Sequence, residues 1–344
     1  MIDSTHPFLA ACHRQPISYT PVWLMRQAGR YLEEYRKLRA RHGFLELCKN
    51  PDLATEITLL PVEKLRVDAA ILFADILLIL EPMGVGLEYA NGDGPVIHRP
   101  VRSSKDVDGL REFDVERELE FVYRAVKKIH RELGNKVPLI GFAGAPFTLA
   151  SYLIEGGGSR NYIHTKKLFY SAPEVWKRLM ERLANVIAAY LNCQIAAGAQ
   201  AVQLFDSWAG CLTPNDYVQF VQPYTKAVID AVTPGVPVIN FSTGTAGLLK
   251  QIRASGGNVI GIDWRVNLDE AWTLVGHDVA VQGNLDPAAL FSSPKEIKAR
   301  VAEILSRAGG KPGHIFNLGH GVLPETPLDH VIAMVDAVHD LSAH

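Results

Sequence analysis

One acidic residue, Asp75, interrupts the stretch 71–80 (ILFADILLIL), which is otherwise entirely apolar. A carboxylate that is buried without a partner costs several kcal/mol unless a cation or a set of hydrogen-bond donors meets it. Two interpretations follow from this position. Either Asp75 takes part in binding or catalysis, or it forms a salt bridge with an arginine or lysine of the core.

Two arginines, Arg26 and Arg30, follow the apolar run 21–25 and are four residues apart. This spacing would place both on one face of a helix start, close to its positive end, where they could hold carboxylate groups. The alternative is a pair of arginines on a solvated helix face. The spacing alone leaves both interpretations open.

Other polar residues follow apolar runs with weaker signals. His320 stands between Gly319 and Gly321, and we expect this setting to leave it exposed at the mouth of a site. Asp206 and Asp263 also end apolar runs, but aspartates in such places often cap the next helix. The run 156–159 (GGGS) could form an anion nest, although it lacks the Lys-Ser/Thr of a phosphate-binding loop.

The cysteines give no sign of a metal or a disulfide framework. None of the four has a CxxC, CxH or HxC spacing, so we expect reduced thiols and no metal site. They are Cys12, Cys48, Cys193 and Cys211.

The elements that position these residues alternate in type along the chain. Near-continuous apolar runs, typical of strands covered on both faces, are separated by longer stretches with helical spacing. Eight such runs favour a (β/α)₈ TIM barrel, an α/β fold, as a single domain over residues 1–344, with a doubly wound sheet as the alternative. The runs are 21–25, 69–73, 137–142, 201–205, 237–241, 259–263, 279–283 and 314–318.

Helix starts carry recognisable caps. The stretch 175–195 has helical spacing, and Ser171 with Glu174 predicts a capping box at its start. A capping residue followed by proline predicts four more starts, at Asn50-Pro51, Thr213-Pro214, Ser293-Pro294 and Thr326-Pro327. The longest connections, 76–136 and 144–200, contain the turn-prone stretches 91–95 and 156–159 and are expected to cover the active site.

Composition excludes several classes of protein. The 344 residues have a net charge of −2 and are 48% hydrophobic, which favours a large core and gives no field to attract nucleic acid or a membrane surface. No apolar run approaches the roughly 18 residues of a membrane span. Residues 1–20 do not resemble a signal peptide. We therefore expect a cytoplasmic protein that needs neither nucleic acid nor a membrane.

Two longer segments resemble one family closely. Residues 21–35 (PVWLMRQAGRYLEEY) and 141–162 (GFAGAPFTLASYLIEGGGSRNY) are similar to signature segments of the uroporphyrinogen decarboxylases. The similarity continues in order through FADIL (73–77), FDSWAG (205–210), QGNLDP (282–287) and NLGHG (317–321). Glu33 departs from the family pattern, which has proline there, at a helix start outside the expected site.

The resemblance implies an enzyme without cofactor or metal, a homodimer, that converts the four acetates of uroporphyrinogen III to methyl groups and so yields coproporphyrinogen III. By matched motif, Asp75 would face the pyrrole N–H groups and act in catalysis with Arg26 and Tyr152. The remaining substrate-binding residues implied by the match are Gln27, Arg30, Phe44, Ser207 and His320.

Two rival functions remain to be weighed. A cobalamin- or thiol-dependent methyltransferase of the same superfamily would need a zinc site resembling a His-x-Cys pair, and no cysteine follows His320 at that spacing. A non-catalytic tetrapyrrole-binding protein would keep the arginines but would not need the lone carboxylate at Asp75.

Overall fold

The core of the fold is a curled parallel sheet of seven strands, seen in a computed structural model that describes residues 6–90 and 94–343. The strand order is β1-β4-β5-β6-β7-β8-β9, and every neighbouring pair is parallel. The strands are β1 (Ala70–Ile71), β4 (Leu139–Gly144), β5 (Ala201–Asp206), β6 (Val238–Ser242), β7 (Val259–Gly261), β8 (Ala280–Gln282) and β9 (His314–Ile315). Seven of the eight predicted apolar runs therefore contribute to one sheet.

The first predicted strand, residues 21–25, forms only an isolated parallel bridge between Val22 and Phe316. Pro21 has no N–H to donate, which limits the ladder that this segment can form. The Phe316 N–H donates to the Pro21 carbonyl at 2.8 Å, and on the other side the Asp68 N–H donates to the Val22 carbonyl at 2.8 Å. Within the described residues, the segment 21–25 thus forms one bridge, to Phe316, and one hydrogen bond from Asp68, in place of the regular strand that was predicted.

A separate antiparallel hairpin was not predicted. It pairs β2 (Leu87–Ala90) with β3 (Gly94–Ile97), with Leu87 opposite Ile97. The turn-prone stretch 91–95 was expected to be a loop. Its residues 91–93 lie outside the described part of the chain, while Gly94 and Pro95 begin β3.

Helices pack around the sheet, as the alternating pattern predicted. In the described part of the chain none of them is both long and apolar enough to cross a bilayer. The helices are α1 (Pro7–Cys12), α2 (Glu33–Arg41), α3 (Phe44–Lys49), α4 (Pro51–Leu65), α5 (Ser104–Asp108), α6 (Val115–Glu118), α7 (Glu120–Leu133), α8 (Pro146–Glu155), α9 (Ile163–Ser171), α10 (Pro173–Ala196), α11 (Pro214–Phe220), α12 (Gln222–Asp230), α13 (Leu249–Ser255), α14 (Leu268–Val275), α15 (Pro294–Ala308) and α16 (Leu328–Ser342). Short 3₁₀ helices span Leu78–Met83, Ala209–Cys211, Ala246–Leu248 and Pro287–Phe291.

Three of the four predicted cap-proline starts are confirmed. The side chains of Asn50, Thr213 and Ser293 accept hydrogen bonds from backbone amides of the first turns of α4, α11 and α15. The start predicted at Thr326 is wrong, because α16 begins at Leu328 and has Pro327 at its N-cap.

The capping box predicted at Ser171 is also wrong. Ser171 is the last residue of α9, and its hydroxyl donates to the Lys167 carbonyl one turn earlier. Pro173 then starts α10 without a side-chain cap, since the N-cap is Ala172.

A polar staple around Asp68 joins the two edges of the sheet and the last helix. Asp68 precedes β1, and its Oδ2 accepts the Val22 N–H at 2.7 Å. The Tyr19 hydroxyl donates to Oδ1 at 2.8 Å, and Nε2 of His339, on α16, lies 2.9 Å from Oδ2. One carboxylate therefore holds the bridging segment, the start of β1 and α16 together.

We expect Asp68→Asn to lower the free energy of unfolding by about 1.5–3 kcal/mol, because an amide nitrogen replaces one of the two accepting oxygens and removes charge-assisted hydrogen bonds. Denaturant titration measures the change. Asp230→Asn is the control, since it removes only an exposed pair with Lys226 and should change stability by less than about 0.5 kcal/mol. Equal stability of the two variants would show that the staple contributes nothing.

Candidate functional site

The site is built around Asp75, which lies beyond the carboxyl end of β1 and ahead of the 3₁₀ helix Leu78–Met83. Its Oδ1 atom accepts two hydrogen bonds, one from the Leu77 N–H at 2.8 Å and a short one from the Tyr89 hydroxyl. Among the described residues, Oδ2 has no hydrogen-bond partner. The carboxylate is thus fixed by one oxygen and presents the other.

The pKa of Asp75 results from opposing effects of burial, of hydrogen-bond donors and of a positive charge. The net result is a pKa above the ordinary value of an aspartate, because burial, the largest effect, outweighs the hydrogen bond from Tyr89, the Leu77 amide and the positive charge of Arg26, which all lower it. The partners at bonding distance are neutral donors and not a lysine or arginine. The geometry therefore favours the interpretation that Asp75 serves binding or catalysis over that of a structural salt bridge.

Arg26 adopts a left-handed backbone conformation (φ 57°) and its side chain is exposed. The helix start predicted to carry Arg26 and Arg30 is wrong, because both lie in a series of turns and α2 begins only at Glu33. A hydrogen bond from the Leu32 N–H to the Gly29 carbonyl closes one of these turns. Arg30 is exposed in the same loop. Glu33 is the first residue of α2, which confirms the helix start predicted there.

Gln27 is fully buried, unlike the arginines on either side of it. Its Oε1 accepts the Leu24 N–H at 3.1 Å, and its Nε2 donates to the Ala69 carbonyl at 3.2 Å. The amide is therefore engaged with the backbone of the first two predicted strands, where it fixes the loop that presents Arg26.

His320 is half-buried and not freely exposed as its two glycine neighbours had suggested. A Cβ added to Gly321 would lie 2.5 Å from Arg26 Cδ, and one added to Gly319 would overlap the backbone of Trp264. The glycines are needed for this close packing. Burial, followed by the charges of Arg26 and Arg265, lowers the pKa of His320 to about 4, so the ring is neutral near pH 7.

Tyr152 lies on α8, and its ring centroid is 3.9 Å from that of Trp208. Burial and then the charge of Asp75 raise the pKa of Tyr152 to about 12, against the opposing effect of Arg26. The phenol thus remains a proton donor near pH 7. Ser207 immediately precedes Trp208, after β5, and is half-buried. The structure therefore brings Asp75, Tyr152 and Arg26 within electrostatic reach of one another, and His320 within reach of Arg26.

An aromatic wall stands beside Asp75. The Phe44 ring is 5.0 Å from the ring of Tyr89 and 6.1 Å from that of Phe73. Sequence reasoning identified Phe44 by the matched motif but missed Tyr89. The alternation in the two short strands is too brief to reveal the hairpin, and the local signal for it is the pair of turn-forming dipeptides Asn-Gly and Asp-Gly at 91–94.

The two other strand-end aspartates face protein groups. Asp263 accepts hydrogen bonds from the backbone N–H groups of Gly244 and Arg265 and pairs with the Arg265 side chain at 2.6 Å, so it organises neighbouring loops. Asp206 is buried, and its Oδ1 accepts the Thr148 hydroxyl at 2.7 Å while Oδ2 has no described partner. Burial raises the pKa of Asp206 to about 6, and Thr148 opposes the shift.

A cavity of about 650 Å³ opens at the opposite end of the sheet and contains none of the predicted site residues. Its charged lining is basic and includes Arg124, Lys127, Lys128 and Arg131. Within the residues that the structure describes, no group of three or more His, Cys, Asp or Glu side chains is arranged to hold a metal ion.

Comparisons with known proteins agree on one family. The family model described as uroporphyrinogen decarboxylase matches residues 3–341. The chain is 53% identical over 337 residues to the uroporphyrinogen decarboxylase of Solibacter usitatus, covering 98% of this chain and 97% of the relative. It is 56% identical over 337 residues to that of Carboxydothermus hydrogenoformans, covering 98% and 96%.

Solved structures show a shared fold at low identity. A methyltransferase from Methanosarcina mazei superposes with a TM-score of 0.82 at 21% identity, covering 97% of each chain. A B12-independent methionine synthase from Shewanella sp. W3-18-1 gives a TM-score of 0.57 at 11% identity, covering 84% of this chain and 87% of that one. Because both identities are so low, the likeness concerns the fold alone.

The raised pKa of Asp206 predicts a pH-dependent difference between the wild-type protein and Asp206→Asn. Between about pH 4 and pH 6 the folded state binds more protons here than the unfolded chain, so wild-type stability falls as pH rises through this window. A shift from 3.8 to about 6 corresponds to at most about 3 kcal/mol. We therefore expect the asparagine variant to gain on the wild type as pH rises from 5 to 7.5.

Denaturant titrations of both proteins across this range measure the difference. His314, which is buried, and His320, which is half-buried, have pKa values lowered to about 4. Both histidines weaken both proteins as pH falls from about 6.5, so their effect cancels. A difference that does not vary with pH would show that Asp206 titrates normally.

Proposed function

The chain belongs to the uroporphyrinogen decarboxylase family, and from this membership we propose that the site around Asp75 removes the four acetate carboxyl groups of uroporphyrinogen III as CO₂. It is a carboxy-lyase of tetrapyrrole synthesis, and the product of the proposed reaction is coproporphyrinogen III. We propose further that the reaction needs no cofactor and no metal.

One observation carries the assignment to this site. Two neutral donors bind Oδ1 of Asp75, and Oδ2 has no hydrogen-bond partner among the described residues. A porphyrinogen carries four pyrrole N–H groups that can converge on such an oxygen. A fixed carboxylate then stabilises positive charge on the pyrrole ring, which is preorganised electrostatic stabilisation.

The chemistry balances without a redox partner. A proton adds to a pyrrole carbon beside the acetate-bearing carbon, and the ring becomes a cation. The bond between the acetate methylene and its carboxylate breaks, CO₂ leaves, and the electron pair neutralises the ring as an exocyclic double bond. A second proton adds to the methylene and the first is lost, so the net change replaces CO₂⁻ with H.

The remaining predicted residues suit the anionic parts of the substrate. Arg26 and Arg30 are exposed at the mouth and suited to bidentate binding of carboxylates. Tyr152, near Asp75, and His320, near Arg26, are neutral in the free site and offer hydrogen bonds or proton transfer. Ser207 is half-buried and precedes Trp208, whose ring lies against that of Tyr152.

Phe44 and Gln27 are proposed to act differently from the ionic groups. Phe44 is half-buried and packs against Tyr89 and Phe73, so its ring supplies an apolar wall of the substrate pocket. The family match makes Gln27 a substrate-binding residue. Its own amide is bonded to backbone atoms, so we propose that it contributes to substrate binding through the loop that it anchors.

We infer that the sheet belongs to a (β/α)₈ barrel formed as one domain over residues 1–344. The hydrogen bonds of residues 21–23 to Phe316 on one side and to Asp68 on the other support this inference. So does the place of Asp75, Asp206 and His320 beyond the carboxyl ends of strands, where barrel enzymes build their sites. In this arrangement residues 21–25 act as the eighth strand.

The family also leads us to propose a homodimer that works in the cytoplasm on a small-molecule substrate, without nucleic acid or a membrane. Sedimentation equilibrium of the full chain tests the oligomeric state, since a monomer at micromolar concentration would contradict the proposal.

A methyltransferase function is the nearest alternative, because the M. mazei methyltransferase shares the fold. The residue two positions after His320 is Val322 and not a cysteine, which disfavours the zinc site such an enzyme would need. Release of CO₂ from reduced uroporphyrinogen, measured with a metal chelator present and no added cofactor, separates these functions and also a non-catalytic tetrapyrrole-binding protein.

Asp75→Asn should lower kcat about 100- to 1000-fold, the scale seen when a preorganised stabilising group is lost. The melting temperature should not fall, since an amide is easier to bury than a carboxylate. Both quantities are measured on one preparation. A variant that melts early but releases CO₂ at the normal rate would remove Asp75 from the mechanism.

Arg26→Lys should lower kcat/KM nearly as far as Arg26→Ala, by about 10- to 100-fold, because lysine cannot reproduce two parallel hydrogen bonds to a carboxylate. The same comparison applies to Arg30. Melting temperatures should barely change, since both side chains are exposed. Lys37→Ala, which removes an exposed pair with Glu33, is the control. Fully active lysine variants would show that both arginines only lie on a solvated surface and do not bind substrate.

A further inference from the structure

Tyr89 belongs to a hairpin outside the barrel sheet, yet its hydroxyl reaches the carboxylate at the centre of the proposed reaction. No residue of this hairpin was predicted to take part in function. The contact joins residues that are fourteen positions apart along the chain, so the fold of the connection between β1 and β4 creates it.

The position of Tyr89 is fixed from two sides. Its ring packs against Phe44 at 5.0 Å and an angle of 59°. The hairpin is tied to the end of α8 by hydrogen bonds from the Ile97 N–H to the Gly156 carbonyl and from the Val101 N–H to the Leu153 carbonyl, both at 2.9 Å. These carbonyls lie at a helix end, where no partner exists within the helix itself.

The same helix carries Tyr152 four residues before Gly156. The hairpin therefore connects Tyr89 and Tyr152 through rigid backbone contacts. Asp75 is fixed to this assembly by the Tyr89 hydroxyl and to the barrel by the neighbouring Leu77 amide.

We propose that Tyr89 is a positioning residue whose hydroxyl holds Oδ1 of Asp75, so that Oδ2 faces the pyrrole N–H groups of the bound macrocycle. This inference rests on the proposed function of the site. Without the hydroxyl, Oδ1 would keep only the Leu77 amide, and the carboxylate would be free to rotate about its last bond.

The titratable and charged groups around Asp75 determine how the pH dependence of kcat is interpreted. Arg26, Tyr152, Tyr89, Cys48 and Tyr190 all interact electrostatically with its carboxylate. Burial raises the pKa of each of the three tyrosines and of the Cys48 thiol, so these groups stay neutral near pH 7. On the acid side the kcat profile therefore reports Asp75 together with His320, whose pKa is lowered to about 4, and the part that changes with Tyr89 is that of Asp75.

Tyr89→Phe in the full chain tests the proposal. We expect kcat to fall about 10-fold and KM to change less than about 2-fold, because a hydrogen bond to a charged group is lost while the substrate-binding arginines remain. The acid limb should move to higher pH, since the Tyr89 hydrogen bond lowers the pKa of Asp75. An unchanged kcat with an unmoved acid limb would overturn the inference.

Two controls separate positioning from structure. Tyr170→Phe removes a hydroxyl that donates to the Asp216 carboxylate at 2.9 Å on an exposed surface, and it should leave kcat and its pH profile unchanged. In an Asp75→Asn background, Tyr89→Phe should cost little further activity, because the two residues act through one contact. A full additional 10-fold loss there would show that Tyr89 acts independently of Asp75 and would overturn the proposal.

The outcome also distinguishes this inference from the proposed function. A wild-type protein that releases no CO₂ from reduced uroporphyrinogen contradicts the proposed function itself. A wild-type protein that is active, beside a Tyr89→Phe variant with the same kcat and pH profile, contradicts only the role of Tyr89.

Discussion

A half-buried carboxylate beyond the carboxyl end of β1, with no cation at bonding distance among the described residues, is the constraint on which the rest of the site depends. Transferring such a charge from water is costly, and neutral donors compensate only part of that cost. Asp75 has two of these donors, both on Oδ1. A ligand with further N–H donors would supply the missing part, so the feature that disfavours the free carboxylate would favour binding of such a ligand.

The groups near Asp75 owe their protonation states to different causes. Burial and then the charge of Asp75 keep Tyr152 a phenol near pH 7, whereas burial and then the charge of Arg26 keep His320 a neutral imidazole. Arg26 reaches this neighbourhood because Gly321 has no side chain to oppose it and because the turn that begins at Arg26 takes the left-handed conformation. The electrostatic balance at the mouth is therefore set by backbone geometry as much as by the choice of charged residues.

Strand positions could be predicted from sequence far better than strand regularity. Each run covered on both faces stands out as apolar, and seven of the eight lie in the sheet. The first run looks the same in sequence, but whether it forms a ladder depends on Pro21 and on partners near Phe316 and Asp68, far away along the chain. Local pattern carries no information on such partners.

The candidate site divides in the same way. Asp75 was identifiable because a charge in an apolar stretch needs an explanation. Tyr89 was not, because its contact depends on a hairpin of two four-residue strands whose alternation is too short to stand out. The helix predicted for Arg26 and Arg30 was wrong because spacing alone cannot distinguish a first helical turn from successive tight turns. The capping box predicted at Ser171 was wrong because Ser171 ends α9 and α10 follows almost directly.

The hairpin also has a consequence for how the chain can vary. Over residues 6–90 and 94–343, its two strands pair with each other and share no ladder with the seven-stranded sheet. A change within the hairpin therefore leaves the register of the seven-stranded sheet untouched. Variation there offers evolution, or a protein engineer, a way to alter the surroundings of Asp75 while the scaffold stays the same.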